Sequence, residues 1–253
     1  MKLNTTINKP TKGFSVVEVA VALGVVTLML TTFLGIFGPA QKSVQTALST
    51  KDANAMKDAV SNEFAILREE DRNNGSVTSF DKAVTYITES HTKNTAVLIY
   101  RYKAVPQDDD GDGILEPFTD ANGIPGRDFI VVTAVRKIDT QEPRIRSELA
   151  PQTVDGPVFV VRMTQLINDS ADPGNLILSQ SVDSLLNPID GSNVASSSDY
   201  DEAVIAFRAE FYKLPVNLAE FVFSDNWQFD FTGSNSESSI GAPVVSANLA
   251  SRR

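Results

Sequence analysis

The chain has 253 residues, 42% of them hydrophobic and 21% charged, the balance of a folded protein with room for one sizeable domain or two small ones. Net charge is −10, and beyond Lys12 there are 19 basic against 32 acidic residues, a surplus that repels phosphate backbones, so no nucleic acid is expected as a partner. With no cysteine and a single histidine, His91, the sequence excludes disulfides, thiolate nucleophiles, cysteine metal sites and any site needing two imidazoles.

The first predicted element is an apolar helix. Residues 1–13 are polar and basic, with Lys2, Lys9 and Lys12, and from Phe14 to Gln41 the only charge is Glu18. The uncharged run Val19–Ala40 has 22 residues. At ~1.5 Å per residue a helix of that length reaches ~33 Å, enough to cross a bilayer's hydrocarbon core. The basic flank predicts a cytoplasmic N-terminus and an outward body. Gly24, Gly35 and Gly38 suit close helix approach as much as they suit any membrane helix. Pro39, lacking a donor, predicts a kink near the outer end.

Residue chemistry leaves several readings of this segment open. A secretory signal needs a shorter apolar core, although Gly38-Pro39-Ala40 offers small residues before a cut at Gln41. A plain signal anchor fits the length and leaves Glu18 without a role. A carboxylate inside the apolar boundary costs ~2.5–3.5 kcal/mol on insertion scales, so it is expected to have a partner.

The run Gly13-Phe14-Ser15-Val16-Val17-Glu18, followed by the long apolar helix, resembles the cleavage and methylation motif of the type IV pilin-like and pseudopilin family. The resemblance covers residues 9–45, and the helix is closer to minor pilin-like proteins than to major fibre subunits. It implies a leader over 1–13, cleavage after Gly13, an N-methylated Phe14 at the mature N-terminus, and Glu18 as the assembly glutamate. In such an assembly Glu18 of one subunit meets the Phe14 amine of a neighbour. A charge pair in an apolar interior costs desolvation and fixes register, because a slipped neighbour leaves a carboxylate unpaired. The implied partners are a prepilin peptidase, other pilin-like subunits, an assembly ATPase and the membrane platform of the machine. The implied location is the inner membrane, single-pass, with the head in the periplasm or at the cell surface.

After this transmembrane and assembly helix (14–40), helical spacing continues through Val44, Leu48, Ala55, Ala59, Phe64 and Leu67. It predicts an amphipathic continuation over 41–72, stopped at Asn73-Asn74-Gly75-Ser76. The head is expected over 73–232. A short helix is expected at Ser79–Thr88, and strands at Ala96–Tyr102, Phe129–Val135, Val158–Leu166, Asn175–Ser181, Val204–Leu214 and Trp227–Phe231. Long polar loops fall at 106–127, 139–156 and 187–202. Residues 233–253, rich in Ser, Asn and Gly, read as a flexible tail. The expected fold class is α+β: a long N-terminal helix, membrane-inserted in its first half and amphipathic in its second, packed on one face of a mostly antiparallel sheet.

In the first long loop, Asp108, Asp110 and Asp112 are spaced to converge on one cation, with Gly113 for the turn and Leu115 as an apolar anchor. The stretch resembles the calcium loops of EF-hands and dockerin-type repeats. It departs from them at position twelve, where Thr119 stands; Glu116 or Asp120 is then the substitute ligand. The alternative is a solvated acidic turn. Asp199-Tyr200-Asp201-Glu202 reads as an exposed acidic turn. Phosphate-binding glycine loops, nucleophile elbows and zinc-protease motifs are all missing, and His91 sits in a polar connector as a surface residue. The function expected is therefore a non-enzymatic structural subunit of a type IV pilus or a type II secretion-like assembly. The rival is a membrane-anchored, calcium-dependent surface-binding or adhesion module that does not polymerise.

Overall fold

The structure, a computed structural model, describes residues 15–253 except 74, 109–110, 170, 173, 182–183, 195 and 233–236. Gly13, Phe14 and Asp110 therefore lie outside the described residues. The chain divides into two units, residues up to 47 and from 48 onward.

Helix α1 (Val16–Glu63) has 48 residues and supplies all of the described first unit except Ser15. The hydroxyls of Thr27, Thr31 and Thr32 each donate to the carbonyl four residues back at 2.8 Å, so these three hydroxyls are satisfied within the helix. Pro39 is accommodated inside the helical span.

In the second unit the last turns of α1 bury Ala53, Met56 and Val60, and Phe64 just beyond. These lie three and four apart, so they line one face of the helix. The buried face is rotated from the one predicted: Val44, Leu48 and Ala55 are exposed, and Ala59 is half-buried. The continuous helix also ends at Glu63 rather than near Arg72. Phe64 turns into the core, its ring 5.5 Å from Tyr86 and 5.6 Å from Phe207. A short α2 (Glu69–Asn73) follows. The break has a polar reason. It brings Glu63 and Asp71 onto Lys82 Nζ at 2.5 and 2.8 Å, with Arg68 also on Glu63.

Helix α3 (Ser79–Glu89) contains the buried Lys82 and opens with a capping box. Thr78 Oγ1 accepts the Asp81 N–H at 3.1 Å, and the Asp81 carboxylate accepts the Thr78 N–H at 2.7 Å. The sheet follows: β1 (Val97–Ala104), β2 (Ile130–Lys137), helix α4 (Glu142–Glu148), β3 (Phe159–Asn168), β4 (Leu176–Leu178), the small pair β5 (Leu185–Leu186) and β6 (Asn193–Val194), then β7 (Val204–Lys213), α5 (Ala219–Val222), a second small pair β8 (Phe229–Asp230) and β9 (Glu237–Ser238), and β10 (Val245–Arg252). Its order is β10-β7-β3-β1-β2, every pairing antiparallel, with β4 extending β3. The fold is thus α+β, a long apolar N-terminal helix and an antiparallel sheet with helix packed on it.

The sheet is buried on both faces. Val97, Ile99, Phe159, Val161, Phe207 and Phe211 meet α1 and α3. Leu98, Tyr100, Val160, Tyr212, Trp227 and Phe229 form a second core under α4 and α5. This explains the continuous apolar runs in β1 and β3, since a strand covered on both sides has no polar face. His91 is a further correction. It is 2% exposed, with Nε2 3.1 Å from the Ile87 carbonyl oxygen, and the connector is tied down by the Thr92–Asp230 bridge and by the Phe231 N–H, which donates to the His91 carbonyl at 3.0 Å. The tail is corrected too: Val245–Arg252 pairs with β7 over eight residues, from Val245–Phe211 to Arg252–Val204.

Candidate functional site: the N-terminal helix and the acidic loop

Every described side chain from Val16 to Phe37 is exposed, including Phe33 and Phe37, whose rings stack at 5.4 Å. Apolar surface this continuous is unstable in water. Helix α1 is long and apolar enough to cross a membrane. A Cβ added at Gly24 or Gly35 would meet nothing within 4 Å, so both glycines leave shallow notches on an open surface.

Glu18 sits in the first turn. Its Oε2 accepts the Ser15 N–H at 2.9 Å, while Ser15 Oγ accepts the Glu18 N–H at 3.3 Å. This reciprocal arrangement is a capping box, and the carboxylate also stands where the helix dipole favours negative charge. Sequence reasoning gave Glu18 a role between subunits and missed its role within the chain, although Ser-x-x-Glu before an apolar run carries that signal.

Asp108, Asp112 and Asp120 of the acidic loop are held by groups of the chain itself. Asp108 accepts the N–H groups of Gly111 at 2.7 Å and Gly113 at 2.9 Å. Those glycines have φ of +76° and +79°, the left-handed region that penalises any side chain. Asp112 accepts the Ile114 N–H and the Arg144 guanidinium, both at 2.7 Å. Glu116 is half-buried and contributes its carbonyl to Val105 N–H at 2.8 Å, and Asp120 accepts the Asn122 N–H at 2.9 Å. Among the described residues no three acidic or histidine side chains are gathered to hold a metal ion. The apolar anchor expected at Leu115 is shared with Ile114, which is buried, while Leu115 packs on the second core.

Two buried ionic groups had no signal in the sequence. Lys82 is held by Glu63 and Asp71; Arg136 of β2 is held by Glu148 at the end of α4, which also accepts the Tyr100 hydroxyl at 2.6 Å. Their partners are separated by 19, 11, 12 and 48 positions, so only the tertiary fold brings them together. Both groups tie helices to the sheet or to one another. Comparison with protein-family models, curated proteins and solved structures gives no match.

Proposed function

We propose that the chain is a non-enzymatic structural subunit, a minor pilin or pseudopilin, inserted in the inner membrane by α1 and joined to a type IV pilus or type II secretion-like assembly. The observation that carries this reading is the run Gly13–Glu18 leading into a helix whose surface up to Phe37 is exposed and, beyond Glu18, uncharged and mostly apolar. A membrane accounts for that surface in the single subunit, and neighbouring helices account for it in an assembly. The partners in this proposal are a prepilin peptidase, sibling pilin-like subunits and a membrane platform, and the head faces the periplasm or the cell surface. Mass spectrometry of the mature N-terminus tests it. Methyl-phenylalanine at residue 14 is the expected result, whereas a start at Gln41 or an uncut leader removes the family assignment.

Calcium in the acidic loop is a separable part of the proposal. A calorimetric titration of calcium chloride into the full chain should give heat of binding that Asp110→Ala removes, and a flat titration ends that part alone. Arg144 competes with any cation for Asp112, so Arg144→Ala should tighten binding where it occurs.

A further inference from the structure

One end of the sheet carries an open surface that neither core uses. Lys213 donates to Ser49 Oγ at 2.9 Å and is paired with Phe159, so the head's share of α1 starts beside the beginning of β3. The Phe64 ring reaches Phe207, the register partner of Gln165, so helix and strand run the same way. The end of β3 at Asn168 is then ~30 Å along the strand from Phe159. There the β3–β4 hairpin and the turn at 187–191 enclose a groove of about 620 Å³.

Ile167, Ile177, Pro188 and Ile189 line it, with Ile189 73% and Ile177 42% exposed, and Leu176 beside them is 51% exposed. Clustered aliphatic side chains open to water mark an interaction surface. Asp169 and Asp190 line the same groove. Each spends one oxygen on its own turn: Asp169 accepts the Ala171 N–H at 2.8 Å, and Asp190 accepts the Ser192 hydroxyl and N–H at 2.7 and 2.9 Å. Between Met163 and Phe207 the chain has seven acidic residues and no lysine, arginine or histidine.

Charge selects the occupant. A second copy would bring the same acidic rim and a net charge of −10, so self-association through this end is opposed. Nucleic acid and anionic headgroups are opposed for the same reason. We propose that the groove docks a segment of a partner protein in which one or two aliphatic or aromatic side chains are flanked by lysine or arginine. The apolar residues enter between Ile177 and Ile189, and the cations meet Asp169 and Asp190. The surface does not depend on whether α1 assembles with other subunits.

The test is fluorescence anisotropy with the full chain in a non-ionic detergent and a labelled peptide, Gly-Lys-Lys-Leu-Leu-Lys-Lys-Gly. Controls carry glutamate for lysine or serine for leucine. Ile189 is exposed, so Ile189→Ser leaves the fold in place, and Asp169→Asn with Asp190→Asn keeps the oxygen acceptors of both turns. The lysine–leucine peptide is expected to bind, about tenfold more weakly to either variant, and the control peptides more weakly still. Equal binding to Ile189→Ser means bulk charge or micelle partition, and overturns the proposal. So does absence of binding, or sedimentation showing a dimer that Ile189→Ser abolishes.

Discussion

Arg136 and Glu148 form a two-pronged ion pair in the second core: Nε and Nη2 of the guanidinium donate to the two carboxylate oxygens at 3.1 and 2.7 Å. Both residues are almost wholly buried, and Tyr100 adds a third donor. Burial by itself pulls the Arg136 pKa down, but the adjoining carboxylate outweighs it and holds the guanidinium above its ordinary value. Burial, with the same carboxylate beside it, keeps the Tyr100 hydroxyl protonated. Removing one member strands a charge. Glu148→Ala should therefore cost ~3–5 kcal/mol, far more than a surface pair would. Tyr100→Phe, which leaves the pair intact, should cost ~1.5–3 kcal/mol. Urea unfolding of the full chain measures both, and a Glu148→Ala loss below that of Tyr100→Phe contradicts the account.

The Lys82 group predicts acid sensitivity. Burial raises the Glu63 pKa, yet Lys82 and Arg68 together outweigh it and leave Glu63 below its ordinary value. A carboxylate depressed in the folded state contributes stability that is complete above its unfolded pKa and is lost as pH falls through the folded one. Stability should thus drop on acidification below the ordinary glutamate range. Glu63→Gln should flatten that part of the pH profile while lowering stability at neutral pH. A profile unchanged by Glu63→Gln would show that other carboxylates set the acid limb.

The C-terminal residue should also contribute. Arg253 donates to the carbonyls of Ser197 and Tyr200 at 2.5 and 2.8 Å, and its guanidinium lies 5.0 Å from the Phe80 ring centroid. It clamps the end of β10 onto α3 and the turn before β7. Arg253→Ala should lower stability by ~1–2 kcal/mol, read as a lower melting temperature. Deleting 245–253 should do more, because it uncovers the whole edge of β7 and invites strand pairing between molecules.

What the sequence shows about this fold follows from what each signal measures. In β7 the alternation Ile205, Phe207, Ala209, Phe211 reports one buried face, and the structure buries those four. In α3, Thr78-x-x-Asp81 before an apolar face reports the helix start. In β10 the residues Ser246, Ala247, Asn248, Ala250 and Ser251 have little strand propensity, and pairing with β7 overrides it. Hydrophobic spacing does not fix the phase of α1 because alanines fall on both sides of it: Ala53 is buried and Ala55 exposed. The start of α1 was legible as Ser15 and Glu18, but the sequence pattern does not separate a helix cap from a charge kept for a neighbour.

Two substitutions at Glu18 separate those roles. The cap needs an oxygen at Oε to accept the Ser15 N–H, and glutamine supplies one as well as glutamate does. A pair with the Phe14 amine of a neighbouring subunit needs the negative charge, which glutamine lacks. If Glu18 acts only as a cap, Glu18→Gln behaves as the native chain and Glu18→Ala alone frays the helix start. If it acts between subunits, both substitutions leave membrane insertion intact and both abolish incorporation. The assembly reading predicts the second pattern, measured as the variant's recovery in the membrane fraction against its recovery in the assembled structure. Normal incorporation of Glu18→Gln would reassign the residue to helix capping and leave the charge without a role in assembly.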